Sequence, residues 1–327
     1  MIATFEDVLK EYRSEMERME QRIFDSLGTD VSLIQEVGRY ILGAGGKRIR
    51  PLLHLLSARL CGYRGHDTEY LIGSIVEYIH TASLLHDDVV DEAKLRRGRS
   101  SANSLWGNQA SILVGDFFYS KALYHAVRLQ NQRVMDILSE TTAVMSEGEV
   151  LQLMQIGNTN MSEADYYRLV ECKTGVLISA SCRLGAVIGK AAPRQEDALT
   201  EYGKKLGLAF QITDDTLDYL ADQKLLGKSL GKDLAEGKVT LPLIHLMRTA
   251  APEERGHVTA ILQADSVSEF DLAYVIGLMQ SRGAVEESLR TAMAFADEAK
   301  AALGIFSDSP HRRALMTLAD YVVQREM

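Results

Sequence analysis

The sequence is poor in cysteine and proline, and it contains no long uncharged apolar run. Its 3 cysteines show no Cys-x-x-Cys spacing, which argues against a disulfide framework and fits a reducing compartment. No apolar stretch reaches the roughly 18 uncharged residues of a membrane-spanning helix, and the nearest candidate, 176–188, carries Arg183. We therefore expect a cytoplasmic protein, with association at a membrane surface left open.

Basic character is also lacking, since the net charge is −9. This balance argues against non-specific binding to nucleic acid. The hydrophobic share of 46% across 327 residues is ample for a large core. Apolar residues recur every three or four positions, and sustained strand-like alternation is absent. The sequence therefore predicts roughly a dozen helices in one all-α domain covering residues 1–327.

The 5 prolines all fall at apparent segment boundaries, where a helix can begin. They are Pro51, Pro193, Pro242, Pro252 and Pro310. We expect a first helix over 5–27, capped by Thr4 with Asp7, and a second over 32–42. A glycine-rich break over 43–46 separates it from a helix that Pro51 starts. A longer helix is predicted from about position 67.

Two copies of an Asp-Asp-x-x-Asp motif stand out, each at the end of an apolar helical run. They comprise Asp87, Asp88 and Asp91, and Asp214, Asp215 and Asp218. Like charges one helical turn apart destabilise a helix. A single copy is most simply a solvated helix face, but two copies within apolar helices favour a site for hard divalent cations. Mg²⁺ prefers oxygen ligands and usually shares them with substrate phosphates.

Three clusters of basic residues accompany the acidic motifs, over 45–51, over 95–99, and from 173 to 175 with Lys228, Lys232 and Lys238 beyond. Glycine-rich basic turns can approach an anion closely, and the arginine fork suits phosphate oxygens. Each cluster alone has a simpler interpretation as ordinary surface charge. His80 attracts attention because helical spacing places it on the face of Asp87 and Asp91.

Taken together, these segments resemble the trans-isoprenyl diphosphate synthases, and most of all the long-chain octaprenyl and heptaprenyl type. The resemblance spans nearly the whole chain, and the ordered set is far more specific than any one motif. Its motifs are Gly46-Lys47-Arg48-Ile49-Arg50-Pro51, His80, Asp87-Asp88-x-x-Asp91, Leu95-Arg96-Arg97-Gly98, Gly148-Glu149, Lys173-Thr174-Gly175, Phe210-Gln211-x-x-Asp214-Asp215-x-x-Asp218, and Gly227-Lys228 to Gly237-Lys238.

The resemblance implies a helical bundle around a deep central cavity, a homodimer, and condensation of isopentenyl diphosphate with an allylic diphosphate. It implies three Mg²⁺ per active site, held by Asp87, Asp88, Asp91, Asp214, Asp215 and Asp218. The matching isopentenyl diphosphate residues are Lys47, Arg50, His80 and Arg97. The matching allylic diphosphate residues are Arg96, Lys173, Thr174, Gln211, Lys228 and Lys238. Asp87, Asp91, Lys173 and Asp214 would carry catalysis.

Product length should depend on how deep the cavity runs below Asp87. Ala82 and Ser83 are small, and Ile79 and Val76 below them are aliphatic, so we expect an unplugged wall and a long product. A short-chain farnesyl or geranylgeranyl diphosphate synthase is the nearest alternative. A class I terpene cyclase has one substrate and little need for the basic residues of 45–51, and a non-catalytic subunit of a heteromeric synthase would be expected to have lost one motif.

Overall fold

The computed structural model describes residues 3–65, 67–220, 231–264 and 266–324. Its secondary structure is almost entirely helical, so the predicted all-α class is confirmed. The first eight α-helices are α1 (Phe5–Glu11), α2 (Arg13–Asp25), α3 (Ser32–Gly43), α4 (Ile49–Leu60), α5 (Thr68–Val90), α6 (Ala102–Trp106), α7 (Asn108–Arg128) and α8 (Gln132–Gln155). Strands β1 (Leu95–Arg96) and β2 (Arg99–Ser100) lie between α5 and α6.

The remaining chain is helical as well. It forms α9 (Glu163–Val170), a π-helix (Glu171–Gly175), α10 (Val176–Ile188), α11 (Pro193–Leu217), α12 (Lys232–Ala235), α13 (Leu241–Thr249), α14 (Pro252–Leu262), α15 (Glu269–Ser281), α16 (Ala284–Ala302), a 3₁₀ turn (Leu303–Ile305) and α17 (Pro310–Gln324). Every proline lies in the first turn of a helix, as predicted, because this is where a missing N–H removes no intrahelical bond.

The helix starts follow local capping chemistry. The Asp7 backbone N–H donates to Thr4 Oγ1 at 3.2 Å, which confirms the predicted cap of α1. The single helix predicted over 5–27 is wrong, because the chain leaves helical geometry at Tyr12 between α1 and α2. The buried Tyr12 hydroxyl contacts Nδ1 of His311 at 2.6 Å. A long-range contact of this kind leaves no trace in helical spacing.

Two further expectations need correction. Helix α4 begins at Ile49 rather than Pro51, because Arg48 takes a left-handed conformation and serves as its N-cap residue. The hairpin of β1 and β2 was not predicted, because two-residue strands are too short to show alternation. Its turn residues Arg97 and Gly98 both have positive φ angles, as two-residue hairpin turns commonly require.

Contacts within the chain group into two compact units. The first comprises Met1–Thr142, Leu177–Gly203 and Ala302–Leu318, and the second comprises Ala143–Val176, Lys204–Ala301 and Ala319–Met327. Since the chain enters each unit more than once, neither is a contiguous part of the sequence. A single domain around a central cavity remains a prediction.

Helix α5 is the central element of the first unit. It packs most extensively against α7, and also against α4 and α2. Its apolar residues are buried on several sides, the expected state of a helix that is hydrophobic all round. This burial fixes the end of α5, where the first aspartate motif lies. Within the ranges described above, none of the helices is both long enough and apolar enough to cross a membrane.

Candidate active site

The first aspartate motif occupies the C-terminus of α5. The Asp91 N–H donates to the Asp87 carbonyl at 2.8 Å, so these two residues remain one turn apart as predicted. Asp88 is buried, and its carboxylate accepts from Arg96 Nε at 2.8 Å and pairs with Arg96 Nη2 at 2.7 Å. The hairpin therefore supplies the counter-ion that fixes the middle carboxylate of this motif.

The second motif ends α11 in the same way. The Asp218 N–H donates to the Asp214 carbonyl at 3.2 Å, and Asp215 is buried between two donors. Tyr166 Oη donates to Asp215 Oδ2 at 2.5 Å, and Gln211 Nε2 donates to Oδ1 at 2.7 Å. Burial raises the pKa of Asp215 to about 7, against the lowering effect of these two hydrogen bonds.

Asp233 is an acidic neighbour of this motif that the sequence analysis passed over. Its backbone N–H donates to Asp218 Oδ2 at 2.9 Å. Burial, together with the charges of Asp215 and Asp218, raises the pKa of Asp233 well above its usual value. The interpretation of the segment around Lys232 and Lys238 considered only lysines, although the aspartate lies beside Lys232.

The acidic side chains fit a divalent cation. Both motifs end at helix C-termini, where the helix dipole is negative and further carboxylates are unfavourable unless a cation joins them. Among the residues that the structure describes, no three His, Cys, Asp or Glu side chains approach closely enough to hold a metal by themselves. A cation here would therefore need further oxygen ligands, and Mg²⁺ commonly takes these from substrate phosphates.

Two of the predicted allylic diphosphate residues of the second unit, Thr174 and Gln211, are hydrogen-bonded to each other, and Lys173 adjoins Thr174 in the chain. Thr174 Oγ1 donates to Gln211 Oε1 at 2.8 Å, and Gln211 in turn donates to Asp215. Lys173 Nζ donates to Glu149 Oε2 at 2.8 Å. Glu149 was noted in the sequence without a role, and here it holds the lysine that adjoins Thr174.

The π-helix places Lys173 and Thr174 at this position. A π turn inserts an extra residue into a helical path and often marks a functional site. Glycine allows neighbouring helices to approach it closely, since a Cβ on Gly148 would lie 2.9 Å from the Lys173 backbone nitrogen. Lys238 Nζ pairs with Glu236 Oε2 at 2.7 Å, whereas Lys228 lies outside the described residues.

A pocket lies between α3, α5 and the hairpin in the first unit. His80, Arg97 and Arg96 line it together with the buried Arg48 and Glu77, whereas Lys47 and Arg50 are not among its lining residues. Desolvation lowers the pKa of His80 well below its usual value, and nearby arginines, Arg50 and Arg97 foremost, lower it further. His80 is therefore neutral at physiological pH. Arg48 and Arg96 are paired with carboxylates, so Arg97 and Arg99 are the lining arginines best placed to attract an anion.

The glycine loop joins this pocket through Arg97. The Arg97 Nη1 group donates to the Gly45 carbonyl, and a Cβ on Gly46 would lie 2.8 Å from that nitrogen. Gly46 has a φ of 150°, so any side chain here would be both strained and in collision. The positive φ angle and the close approach of Arg97 together favour glycine at position 46. Burial also lowers the pKa of Arg97.

The predicted chain-length wall is only partly accessible. Ser83 is half-buried, and its hydroxyl donates to the His80 carbonyl at 2.9 Å. Val76 and Ala82 are 0% exposed and Ile79 is 2% exposed. Ser83 is therefore the member of this set that a bound chain could reach without rearrangement of α5, and a wall role for all four stays a prediction.

Comparison with known proteins places the chain in a family. The family model for polyprenyl synthetase matches residues 31–279. The octaprenyl diphosphate synthase of Escherichia coli K12 is 44% identical over 305 residues, which cover 93% of this chain and 94% of the relative.

Solved structures agree with that assignment. A polyprenyl synthase from Caulobacter crescentus CB15, complexed with calcium and isoprenyl diphosphate, superimposes with a TM-score of 0.94 at 37% identity, covering 100% of this chain and 99% of the other. A decaprenyl diphosphate synthase from Rhodobacter capsulatus gives 0.93 at 40% identity, covering 98% and 99%. The chain therefore belongs to the polyprenyl synthetase family, whose members are prenyltransferases that depend on divalent metal ions.

Proposed function

We propose that this protein is a long-chain trans-polyprenyl diphosphate synthase that adds isopentenyl diphosphate head to tail to an allylic diphosphate. The observation that carries the proposal is the presence of two separate groups of basic and polar side chains, each suited to an anion. Each lies beside its own aspartate motif: the basic pocket next to Asp88 and the Lys173–Thr174 group next to Asp215. A reaction between two diphosphates requires two such sites, whereas a cyclase requires one.

Asp87, Asp91, Asp214 and Asp218 would hold Mg²⁺, with three ions expected per active site. The metal would neutralise the negative charge of the allylic diphosphate, and this would make the diphosphate a better leaving group. Asp88 and Asp215 were also predicted to bind metal. Because Arg96 and Tyr166 already bond to their carboxylates, we assign these two aspartates to the orientation of their motifs.

The basic side chains would divide between the two substrates. Lys173 and Thr174 hold the allylic diphosphate, with Gln211 fixing Thr174 and Glu149 fixing Lys173. Lys238 and Lys228 would complete that group. Fixed cations aimed at the departing diphosphate stabilise the charge that develops as its bond to carbon breaks.

Isopentenyl diphosphate would occupy the basic pocket, bound by His80 and Arg97 of its lining, with Lys47 and Arg50 reaching it from the adjoining loop and the start of α4. Arg96 was predicted to bind the allylic substrate, but it lines this pocket and pairs with Asp88, so we place it beside isopentenyl diphosphate. The double bond of this substrate attacks the allylic cation, and a proton then leaves to the released diphosphate. A protein nucleophile is not needed, since the new bond forms directly between the two substrates.

A homodimer is the assembly that we propose. Helix α7 presents an apolar surface formed by Leu113, Tyr124 and Val127, which are 65%, 51% and 55% exposed. Their spacing places them on one face of the helix. Contiguous exposed apolar surface commonly marks an interface. Sedimentation of wild type should give twice the chain mass of 36.2 kDa, and Leu113→Glu should shift it to the monomer.

Product analysis tests the proposed function directly. The protein is incubated with isopentenyl diphosphate, farnesyl diphosphate and Mg²⁺, with and without EDTA, and the dephosphorylated products are separated by chromatography. We expect metal-dependent products longer than geranylgeraniol. Products that stop at geranylgeraniol would indicate a short-chain enzyme, cyclised hydrocarbon would indicate a cyclase, and no turnover would indicate a non-catalytic subunit.

A further inference from the structure

Arg48 differs from the other basic residues near the glycine loop, because its side chain points into the protein. Only 8% of the residue is exposed, and its φ and ψ angles of 45° and 41° are left-handed. An arginine adopts this conformation only where its surroundings enforce it. The residue also lies directly between Lys47 and the first turn of α4, which carries Arg50. Whatever holds Arg48 therefore holds both of these residues.

The Arg48 guanidinium is held by three separate elements of the first unit. Nε and Nη2 donate to the two carboxylate oxygens of Glu20 on α2, both at 2.9 Å. Nη1 donates to Glu77 Oε1 on α5 at 2.5 Å, and Nη2 donates to the Leu42 carbonyl at the end of α3 at 2.6 Å. Four hydrogen bonds thus connect the glycine loop to α2, α3 and α5.

Glu77 extends this connection to the pocket. It lies one helical turn before His80 on α5, it is 5% exposed, and its charge also acts on Arg97. One buried carboxylate therefore bonds to Arg48 at the loop and acts electrostatically on Arg97 at the hairpin turn, and each of these arginines has a left-handed backbone. Displacement of Glu77 would disturb the two sides of the pocket at once.

We propose that Glu20 and Glu77 clamp the buried Arg48 guanidinium, and that this clamp sets the affinity of the basic pocket for isopentenyl diphosphate by positioning the residues that bind it. Arg48 is a positioning residue in this account, and the inference rests on the proposed function. Two carboxylates already surround its guanidinium and four of its five N–H groups are used, so little charge remains for a substrate. Its contribution is to fix the positions of Lys47, Arg50 and His80.

Arg48→Lys is the informative substitution, because it keeps the charge but cannot bond to both carboxylates and the carbonyl together. We expect the KM for isopentenyl diphosphate to rise at least about tenfold, since small displacements of binding groups weaken a site strongly. The KM for the allylic diphosphate, whose site lies on other residues, should stay within about twofold of wild type. Glu77→Gln should produce the same selective change.

The matched control is Arg59→Lys, at the other end of the same helix. Arg59 Nη2 pairs at 2.9 Å with Glu69, whose side chain is 0% exposed, so this substitution also disturbs an ion pair to a buried carboxylate, but away from the pocket. It should lower the melting temperature and leave both KM values unchanged. Circular dichroism and thermal melts of all variants show whether they remain folded at the assay temperature.

The outcomes separate this inference from the proposed function. If wild type condenses the two diphosphates and folded Arg48→Lys keeps the wild-type KM for isopentenyl diphosphate, the clamp is refuted and the enzyme assignment stands. Equal rises in both KM values, or a rise that Arg59→Lys reproduces, would also refute it, because they would reflect general loss of stability. A wild type that does not condense the two substrates refutes the proposed function itself.

Discussion

Each aspartate motif contains one buried carboxylate that is bonded to a side chain from another element. In the first motif it is Asp88, whose side chain is 0% exposed and is paired with Arg96. In the second it is Asp215, buried beneath Tyr166. The outer aspartates of both motifs are more accessible. The motif thus combines two functions at neighbouring residues, with a buried carboxylate that fixes the helix end and outer carboxylates that are accessible to a cation.

The variant Asp88→Asn tests whether the buried carboxylate of the first motif stabilises the fold. Removing one partner of a fully buried ion pair costs roughly 3–5 kcal/mol. Because Arg96 is 30% exposed and solvent can partly compensate it, we expect a loss of about 2 kcal/mol in the free energy of unfolding. Urea denaturation of wild type and variant measures this loss of stability. Asp116→Asn, at a carboxylate that is 60% exposed near His86, is the control and should change stability by less than about 0.5 kcal/mol.

Because His54 is buried, the free energy of unfolding should depend on pH for a reason unrelated to catalysis. It is fully buried on α4, and desolvation lowers its pKa from 6.5 to about 4. The unfolded chain therefore binds the proton more readily than the folded one below pH 6.5. The stabilising contribution of neutral His54 is complete above pH 6.5 and is lost as the pH falls towards 4.

The size of this effect follows from the shift in pKa. The lowered pKa corresponds to a loss of about 3 kcal/mol in the free energy of unfolding between pH 6.5 and pH 4. The variant His54→Met should flatten the pH dependence of urea unfolding between pH 6.5 and 4 by this order of magnitude. A variant with the slope of wild type would contradict the assignment of this proton to His54.

At the scale of secondary structure, the π-helix Glu171–Gly175 is the element on which the allylic group depends. It determines the direction of Lys173 and Thr174, and it packs closely against α8 at Gly148. A small change in this packing would therefore move two predicted substrate-binding groups together. Such an element couples helix packing to substrate affinity.

Gly148→Ala should disturb this packing, since its Cβ would lie 2.9 Å from the Lys173 nitrogen. We expect a loss of about 1–3 kcal/mol in stability and a higher KM for the allylic diphosphate. Gly256→Ala is the control, because a Cβ there meets nothing within 4 Å and alanine favours a helix. It should be neutral or stabilising, and equal effects of the two variants would contradict this account.

Helix α5 carries the prediction about product length. Ser83 lies one turn before Asp87 and is half-buried, whereas Ala82 is 0% exposed. Ser83→Phe should place an aromatic ring on the accessible face and shorten the products, as chromatography would show. Ala82→Phe should instead overpack the core and lower the melting temperature. Unchanged product length in a folded Ser83→Phe variant would refute a wall at this position.

Sequence reasoning succeeded where the cause of structure is local. Proline positions, the Thr4 cap and the helical spacing of Asp87 and Asp91 depend on near neighbours. It failed where the cause is distant, as at Arg48, whose conformation depends on Glu20 and Glu77 in other helices. The π-helix was missed for the same reason, because its residues differ little in helix propensity from an ordinary helix.

At the scale of the whole molecule, binding of Mg²⁺ together with a diphosphate is the property that both aspartate motifs are expected to share. The first motif belongs to one unit and the second to the other. Neither motif gathers three candidate ligands within the described residues. A diphosphate that supplies the missing oxygens would therefore bind strongly only together with Mg²⁺, and the metal only together with the diphosphate.

Thermal melts with a non-reactive allylic thiodiphosphate test this requirement most directly. We predict that Mg²⁺ alone and the analogue alone change the melting temperature little, whereas both together raise it, since ligands that bind the folded state stabilise it. Asp87→Asn and Asp214→Asn should each remove this joint increase. If either variant kept the full increase, its aspartate motif would take no part in binding Mg²⁺ with the diphosphate, and the central claim would be wrong.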